Sequence, residues 1–358
     1  MPSVEPFASL VDEMFARGVG SGAALSIGDA GREIERMFHG TTRRVPTPGE
    51  PVTAATWWDV ASLIKPIVTV ASAMVLAGEG RLDLDAPIRT YLPGAASTGT
   101  VLQLIGHAAG CAAHVEFFKE LRARPPADPR AALVRLAAAV PAIEPGTTVT
   151  YSDLGYIQLG AIIERAFGAS LENAFAELVA EPLALSARYG ADPALSVATE
   201  QDERGVVQGE VHDENAWYGG RVCGHAGLFA RLDDVVAFAQ AITDLWIGLP
   251  RGRLQPELAR RFLTTSAAPA ANATWRLGFD TPSHTPGISH AGDRWPRSNS
   301  AGHMGFTGVS MWLDLANRRW VVLLTNRVHP TRFGESPDAI KALRRAVNDA
   351  AIDLLERR

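Results

Sequence analysis

The hydrophobic residues of this chain change their spacing twice, and this change limits the folds that are open to it. Near the N-terminus, "GAALSIGD" (22–29) and "REIERMFHG" (32–40) have the composition of two strands joined by a turn at Ala30-Gly31. From about residue 80 to about residue 260, apolar residues recur at the i, i+3, i+4 spacing of amphipathic helices. Near the C-terminus, "AGHMG", "TGVSMWLDL" and "RRWVVLLTNRV" again have the composition of strands.

Strands at both ends with helices between them predict an α+β fold. We expect an antiparallel sheet, flanked by helices, to be built from residues 1–80 and 260–358, with a mostly helical insertion at 81–259. The segment "SPDAIKALRRAVNDAAIDLLERR" is predicted to be a closing helix with Ser336 as its N-cap. A cleft between two such parts is a common place for a small-molecule site.

Composition argues against several classes of protein. The 358 residues carry a net charge of only −5, which gives no reason to expect nucleic acid or an anionic membrane as a partner. No apolar run approaches the ~20 residues of a membrane span, and the acidic first segment does not resemble a signal peptide. Cys111 and Cys223 form no disulfide or metal pattern, so we expect a cytoplasmic protein with two reduced cysteines.

Ser62 and Lys65, in "WWDVASLIKPIV", stand three residues apart at the start of a predicted helix. Their side chains therefore share one helical face, where the amine can reach the hydroxyl. A serine needs an adjacent base to become a nucleophile, and a lysine with a lowered pKa can serve, whereas an arginine cannot lose its proton. Lysine is rare here, with three among 34 basic residues. The alternative is a capping serine beside an exposed lysine, which the apolar surroundings disfavour.

A second segment, "YSD", lies at a predicted loop-to-helix junction and contains Tyr151 and Asp153. A tyrosine beside a lysine ammonium can have a lowered pKa and can take the proton of a serine. The alternative for this segment alone is a packed tyrosine next to a capping serine.

A third segment, "HMGF", offers groups that could bind the substrate. His303 can contact the substrate or relay protons, and Gly305 lets a substrate approach the backbone closely. The N–H of Phe306 can pair with the N–H of Ser62 to bind an oxyanion. The alternative is a strand histidine that only bonds to its neighbours.

The segment "VHDENA" brings together His212, Asp213 and Glu214, with His225 nearby in sequence. Adjacent residues cannot easily all point at one ion, so we expect no metal. Such clusters usually form hydrogen-bond networks in loops or cap helices, and a role in lining the substrate pocket is the second interpretation. Arg327, at the end of a predicted strand, can bind a substrate carboxylate, or it can form a surface salt bridge.

In this order, "SLIK", "YSD" and "HMG" resemble the SxxK, Tyr-x-Asn and Lys-Thr-Gly elements of the serine β-lactamase and penicillin-binding-protein superfamily. The nearest branches are class C β-lactamases, family VIII esterases and D-Ala-D-Ala carboxypeptidase-like hydrolases. The resemblance implies the β-lactamase-like fold and hydrolysis through an acyl-enzyme on Ser62. Lys65 and Tyr151 would then be the acid–base system, and the amides of Ser62 and Phe306 the oxyanion hole.

Two departures from the family pattern bear on the substrate. Asp153 stands where asparagine is usual, and His303 replaces a lysine that helps to hold the carboxylate of β-lactams. Both changes disfavour an efficient β-lactamase. We therefore expect a serine hydrolase for small esters or amides that needs no cofactor. The alternatives are a weak β-lactamase, a D-amino-acid peptidase, or a catalytically silent binding or regulatory protein on the same fold.

Overall fold

A computed structural model describes residues 4–269, 274–285 and 287–358. The strands are β1 (Gly22–Asp29), β2 (Arg32–Gly40), β3 (Trp58–Asp59), β4 (Arg188–Tyr189), β5 (Ala198–Asp202), β6 (Gly205–Gln208), β7 (Leu228–Ala230), β8 (Ser300–Met304), β9 (Ser310–Asp314) and β10 (Arg319–Thr325). The α-helices are α1 (Glu5–Ala16), α2 (Ala71–Gly78), α3 (Ile88–Tyr91), α4 (Val101–Ile105), α5 (Phe118–Ala123), α6 (Pro129–Ala139), α7 (Asp153–Phe167), α8 (Leu171–Phe175), α9 (Glu181–Leu183), α10 (Glu214–Tyr218), α11 (Leu232–Trp246), α12 (Pro256–Thr264) and α13 (Ser336–Glu356).

The strands from the two ends of the chain form one five-stranded antiparallel sheet in the order β2-β1-β10-β9-β8. The link between the ends is the pairing of β1 with β10, in which Ala23 lies opposite Thr325. This confirms the predicted α+β fold and the strands expected in both terminal segments. The middle of the chain contributes most of two smaller sheets, β3-β7-β4 and β5-β6, of which only β3 comes from the N-terminal segment.

Both faces of the five-stranded sheet are covered, because side chains along a strand alternate between its faces. Leu25 and Ile27 of β1 face one core, which α1 and α13 complete. Ala24 faces a larger core on the other side, which includes residues of α2, α7 and α11. The predicted closing helix is confirmed as α13, but its N-cap is Glu335 rather than Ser336, whose hydroxyl instead bonds to Arg327.

The helical stretch Ala61–Gly78 passes through the larger core. It is apolar and long enough to cross a membrane by length and composition, contrary to the sequence-based expectation, but 83% of it is buried inside the protein. It begins as a 3-10 turn at Ala61–Leu63, continues as a π-helical turn at Lys65–Val70 and ends as α2. Pro66 has no N–H to donate to the carbonyl of Ser62 four residues earlier, which accounts for the irregular start.

The expected division at residues 81–259 stays a prediction. Helix α11 lies inside that range, yet it packs on strands β1, β9 and β10 of the five-stranded sheet. The larger apolar core runs without interruption from the sheet into the helices of the middle segment.

Candidate active site

The turn that carries Ser62 is held by a buried carboxylate. Asp59 lies at the end of β3, and its two side-chain oxygens accept the N–H of Ala61 and the N–H of His212, both at 2.8 Å. Ala61 has a φ of 44°, a left-handed conformation that residues with a side chain adopt only at a cost of about 1–3 kcal/mol. The bond from Asp59 helps to stabilise this conformation and thereby fixes the position of Ser62.

Lys65 is fully buried behind Ser62, and all three of its ammonium hydrogens have an acceptor. Its Nζ donates to Ser62 Oγ at 2.9 Å, to Asp153 Oδ1 at 2.8 Å and to the carbonyl of His225 at 3.3 Å. The ammonium also lies 4.9 Å from the ring centroid of Tyr151. The structure therefore brings Ser62, Lys65, Tyr151 and Asp153 together, as the sequence predicted.

The protonation of this group differs from the sequence-based expectation. Burial by itself lowers the pKa of Lys65, but the Asp153 carboxylate and Tyr151 outweigh burial, so the pKa lies above its ordinary value. Burial raises the pKa of Tyr151, and the nearby ammonium of Lys65 does not cancel this effect. Both predicted reductions in pKa are therefore wrong for the free protein.

Asp153 is the cause of this difference. Burial raises its pKa, but attraction to Lys65 and a bond from His114 outweigh burial and hold the pKa far below its usual range. Asp153 is thus a carboxylate and Lys65 an ammonium ion in the resting site. The other carboxylate oxygen, Oδ2, lies 3.4 Å from His114 Nδ1, and that histidine side chain is half exposed.

His303 lies beside this group but carries no charge at neutral pH. Burial, together with Lys65, lowers its pKa to about 3. Its Nδ1 donates to the carbonyl of Met304 at 2.9 Å, and its Nε2 has no hydrogen-bond partner among the described residues. The imidazole of His303 is therefore neutral in the resting site. The ring instead packs against Trp275, which also contacts Tyr151.

Gly305 allows a close approach, but of the protein to itself rather than of a substrate. A Cβ atom at this position would lie 2.6 Å from the carbonyl oxygen of Val60 and would overlap Val309. Arg344 of α13 reinforces the same turn, because one guanidinium nitrogen donates to the carbonyls of Gly305 and Val309 at 2.7 Å each. The turn is thus packed against the residues that precede Ser62, and Phe306 follows it.

Arg327 forms no salt bridge with an acidic residue among those described, so the interpretation as a surface salt bridge is wrong, while binding of a substrate carboxylate stays a prediction. It is buried, and its Nε donates to the carbonyl of Phe306 at 2.7 Å. Its guanidinium carbon lies 4.2 Å from the centroid of the Phe306 ring. Burial lowers the pKa of Arg327 to about 10. Arg327 therefore positions Phe306, which is half exposed at the edge of the cavity.

A cavity of about 320 Å³ opens above Ser62, and Tyr151 and Phe306 form part of its wall. Charged and titratable groups line much of the rest: Asp59, His114, Asp153, His212, Asp213, Glu214, His225 and Arg332. His212, expected to line the pocket, lies in this wall. The described parts of the chain contain no group of three or more His, Cys, Asp or Glu side chains arranged to hold a metal ion.

His225 is a buried cation in this wall. Its Nε2 lies 3.1 Å from Asp213 Oδ1. Burial lowers its pKa, but the Asp213 carboxylate outweighs burial and raises the pKa to about 10. His225 therefore carries a positive charge at neutral pH, and the charge of Asp213 is committed to it.

A second charged network supports the opposite side of the cavity. Arg332 donates to Glu200 at 2.5 Å and to Glu214 at 2.6 Å. His212 lies 2.9 Å from the same carboxylate, Glu200, and its ring stacks on Phe306. The "VHDENA" residues are thus bound into ion pairs and hydrogen bonds within the wall.

Sequence reasoning missed Asp59, His114, Arg332 and Arg344. All four lie outside the three motifs, and His114, Arg332 and Arg344 reach the site only through the folding of distant parts of the chain. An acidic residue directly before the nucleophile turn was the one local signal, and it pointed to Asp59.

Ser62 lies at the bottom of an open cavity and is hydrogen-bonded to a fully buried lysine. This arrangement is typical of a serine hydrolase. The model of the Beta-lactamase family matches residues 7–345. The chain therefore belongs to the Beta-lactamase family, and it is a serine hydrolase of that superfamily.

Known proteins related to this chain are also hydrolases by name. It is 27% identical to an N-acetylmuramyl-L-alanine amidase of Bacillus subtilis, over 89% of this chain and 80% of the relative. It is 28% identical to a provisionally named D-alanyl-D-alanine carboxypeptidase of Escherichia coli, over 77% of this chain and 70% of the relative. The solved structure of EstCE1, a hydrolase with promiscuous acyltransferase activity, shares the fold. It has a TM-score of 0.70 at 22% identity and covers 96% of this chain and 98% of its own.

Proposed function

We propose that this protein hydrolyses small esters or amides through an acyl-enzyme on Ser62. The observation that carries the proposal is the 2.9 Å bond between Lys65 Nζ and Ser62 Oγ at the floor of the cavity. Ser62 Oγ attacks the substrate carbonyl, and its proton passes through the Lys65–Tyr151 pair to the leaving group as the bond to that group breaks. Water then attacks the acyl-enzyme and gives up a proton to the same pair, which passes it to Ser62 Oγ as the bond between that oxygen and the acyl group breaks and the acid leaves.

Phe306 supports an oxyanion site in this scheme. Its residue lines the same cavity as Ser62, and the Arg327 and Arg344 contacts hold the turn from which its N–H projects. Two backbone donors fixed before the reaction stabilise the developing charge without reorganisation, which is why such rigid turns suit acyl transfer.

Amide and ester substrates fit the site better than β-lactams. The names of the amidase and carboxypeptidase relatives support amide substrates. Neutral His303 provides no charge for a β-lactam carboxylate, so a weak β-lactamase activity or a D-amino-acid peptidase activity ranks behind simple ester and amide hydrolysis. We also propose a cytoplasmic location, which the free thiols of Cys111 and Cys223 support.

A catalytically silent binding protein is the second candidate. The observation that favours it is the Lys65–Asp153 ion pair, which keeps Lys65 protonated while Tyr151 also retains its proton. A site in which neither candidate base is free at rest could bind ligands without turning them over.

A fluorophosphonate probe separates the two candidates, because it labels serines that are active as nucleophiles. We expect labelling of the wild type and of Ser9→Ala, a remote control on α1, but not of Ser62→Ala. Absence of labelling in a folded wild type would leave only the binding protein. Turnover of a small ester beside that of a chromogenic cephalosporin then ranks the substrates.

A further inference from the structure

Two carboxylate oxygens in the cavity wall are left without a committed cation. Asp153 and Asp213 each use Oδ1 in the bonds described above, to Lys65 and to His225 respectively. Oδ2 of Asp213 accepts no hydrogen bond from the described residues, and Oδ2 of Asp153 has only the long contact with His114. The side chain of Asp213 is 24% exposed and that of Asp153 is 21% exposed, so a ligand in the cavity can reach both.

The remaining cations of the wall are already engaged. Arg332 is held by Glu200 and Glu214, and buried His225 is held by Asp213. His114 is the exception, because its side chain is 47% exposed and its contact with Asp153 is 3.4 Å. A cation that enters the cavity can therefore replace His114 as the partner of Asp153 Oδ2.

Asp153 is also close to the reacting atoms. Its Oδ1 is separated from Ser62 Oγ by only the Lys65 ammonium, through bonds of 2.8 Å and 2.9 Å. A cationic group on Oδ2 therefore belongs to the part of the substrate next to the scissile carbonyl, as the α-amino group of an amino acid does.

We propose that Asp153 binds an ammonium group of the substrate, and that this protein acts on esters or amides of amino acids whose amino group is free. This inference rests on the proposed function and names its substrate class. Asp213 lines the same cavity, and its Oδ2 offers the ammonium group a second acceptor, although its charge is shared with His225. N-acylated analogues lack the ammonium group, so they cannot form this contact with the Asp153 carboxylate.

The same contact explains how a resting site with a protonated lysine becomes active. A substrate ammonium shares the Asp153 carboxylate with Lys65 and repels the Lys65 ammonium. Both effects favour the neutral amine of Lys65, which is the form that accepts the Ser62 proton. Binding of the correct substrate therefore prepares the base, whereas a neutral ester does not.

Alanine ethyl ester and N-acetylalanine ethyl ester, each as D and L forms, test the proposal in a pH-stat assay. They share one leaving group and differ at the amine. A hydrogen bond to a charged group is stronger than one between neutral groups, so we expect kcat/KM to favour the free amine by at least ~10-fold in the wild type. Asp153→Asn should reduce this ratio below ~3-fold, and Asp338→Asn, a remote exposed control on α13, should keep it.

A binding measurement makes the result independent of turnover. Calorimetry in a Ser62→Ala background, which cannot hydrolyse either amide, should show at least ~10-fold tighter binding of alaninamide than of N-acetylalaninamide, and adding Asp153→Asn should remove this preference. The inference would be overturned by equal kcat/KM for the two esters together with equal affinity for the two amides. A preference for the free amine that survives in Asp153→Asn would overturn it as well. Missing fluorophosphonate labelling would instead count against the proposed function alone.

Discussion

Because of the buried His225–Asp213 pair, the free energy of unfolding should fall as the pH becomes alkaline. Asp213 raises the pKa of His225 to about 10, whereas a histidine in an unfolded chain has a pKa near 6.5. The folded state therefore holds this proton more tightly than the unfolded state. The stabilisation is complete below pH 6.5 and is lost as the pH rises towards 10.

The size of the effect follows from the separation of the two pKa values. Each pH unit between them removes about 1.4 kcal/mol from the free energy of unfolding, so the loss between pH 7 and pH 9 is about 2 to 3 kcal/mol. For a chain of 358 residues this corresponds to a fall of roughly 3 °C in Tm. The side chain of His225 is only 1% exposed, so solvent screens the interaction little.

Asp213→Asn is the matched variant for this test. Asp213 also caps α10 by accepting the N–H of Ala216 at 2.8 Å, and asparagine is an equally good N-cap, so the helix start is retained. The variant should lose the decline between pH 7 and pH 9 when both proteins are unfolded in urea at several pH values. A difference between the two proteins that stays constant over this range would refute the reasoning.

Three further predictions concern the nucleophile, the turn and acid pH. Lys65→Arg should fold, by circular dichroism, yet acylate at least ~100-fold more slowly, since arginine cannot act as a general base; near-normal rates would exclude this role. Gly305→Ala should lower the free energy of unfolding in urea by about 1–3 kcal/mol, because its Cβ meets the Val60 carbonyl; an unchanged midpoint would contradict this. Buried His303 has a pKa of about 3 in the folded protein. As the pH falls below about 6.5, this histidine therefore takes up a proton in the unfolded chain but not in the folded one, and the folded state loses stability. Stability should drop by about 1 kcal/mol between pH 7 and pH 5.5, and His303→Gln should remove that part of the loss.

The sheet could be predicted from the sequence because its signals are local. The hairpin of β1 and β2 has apolar runs broken by Ala30-Gly31, and these bounds match the structure. Helix α11 was equally clear from its apolar spacing. The cap of α13 could not be predicted, because Ser336 is drawn into a bond with Arg327 that only the folded sheet brings near.

The candidate site could be predicted in composition but not in charge. Ser62 and Lys65 are neighbours on one turn, so spacing alone pairs them. The protonation of Lys65 depends on Asp153, which lies 88 residues away in sequence, and on how deeply both are buried. The local sequence pattern does not show how deeply a side chain is buried. Burial also makes His303 neutral and places Arg327 where it supports Phe306.

The two departures from the family pattern act in the same direction. Asp153 puts a carboxylate where the resemblance implies an amide, and neutral His303 removes a cation that the resemblance places in the third motif. Each change makes the site more negative by one charge. A pocket altered in this way suits an anionic substrate less well, and we infer that the Oδ2 atoms of Asp153 and Asp213 provide a place for a cationic one. The substitutions that disfavour a β-lactamase are therefore the same ones that favour a substrate with a free amine.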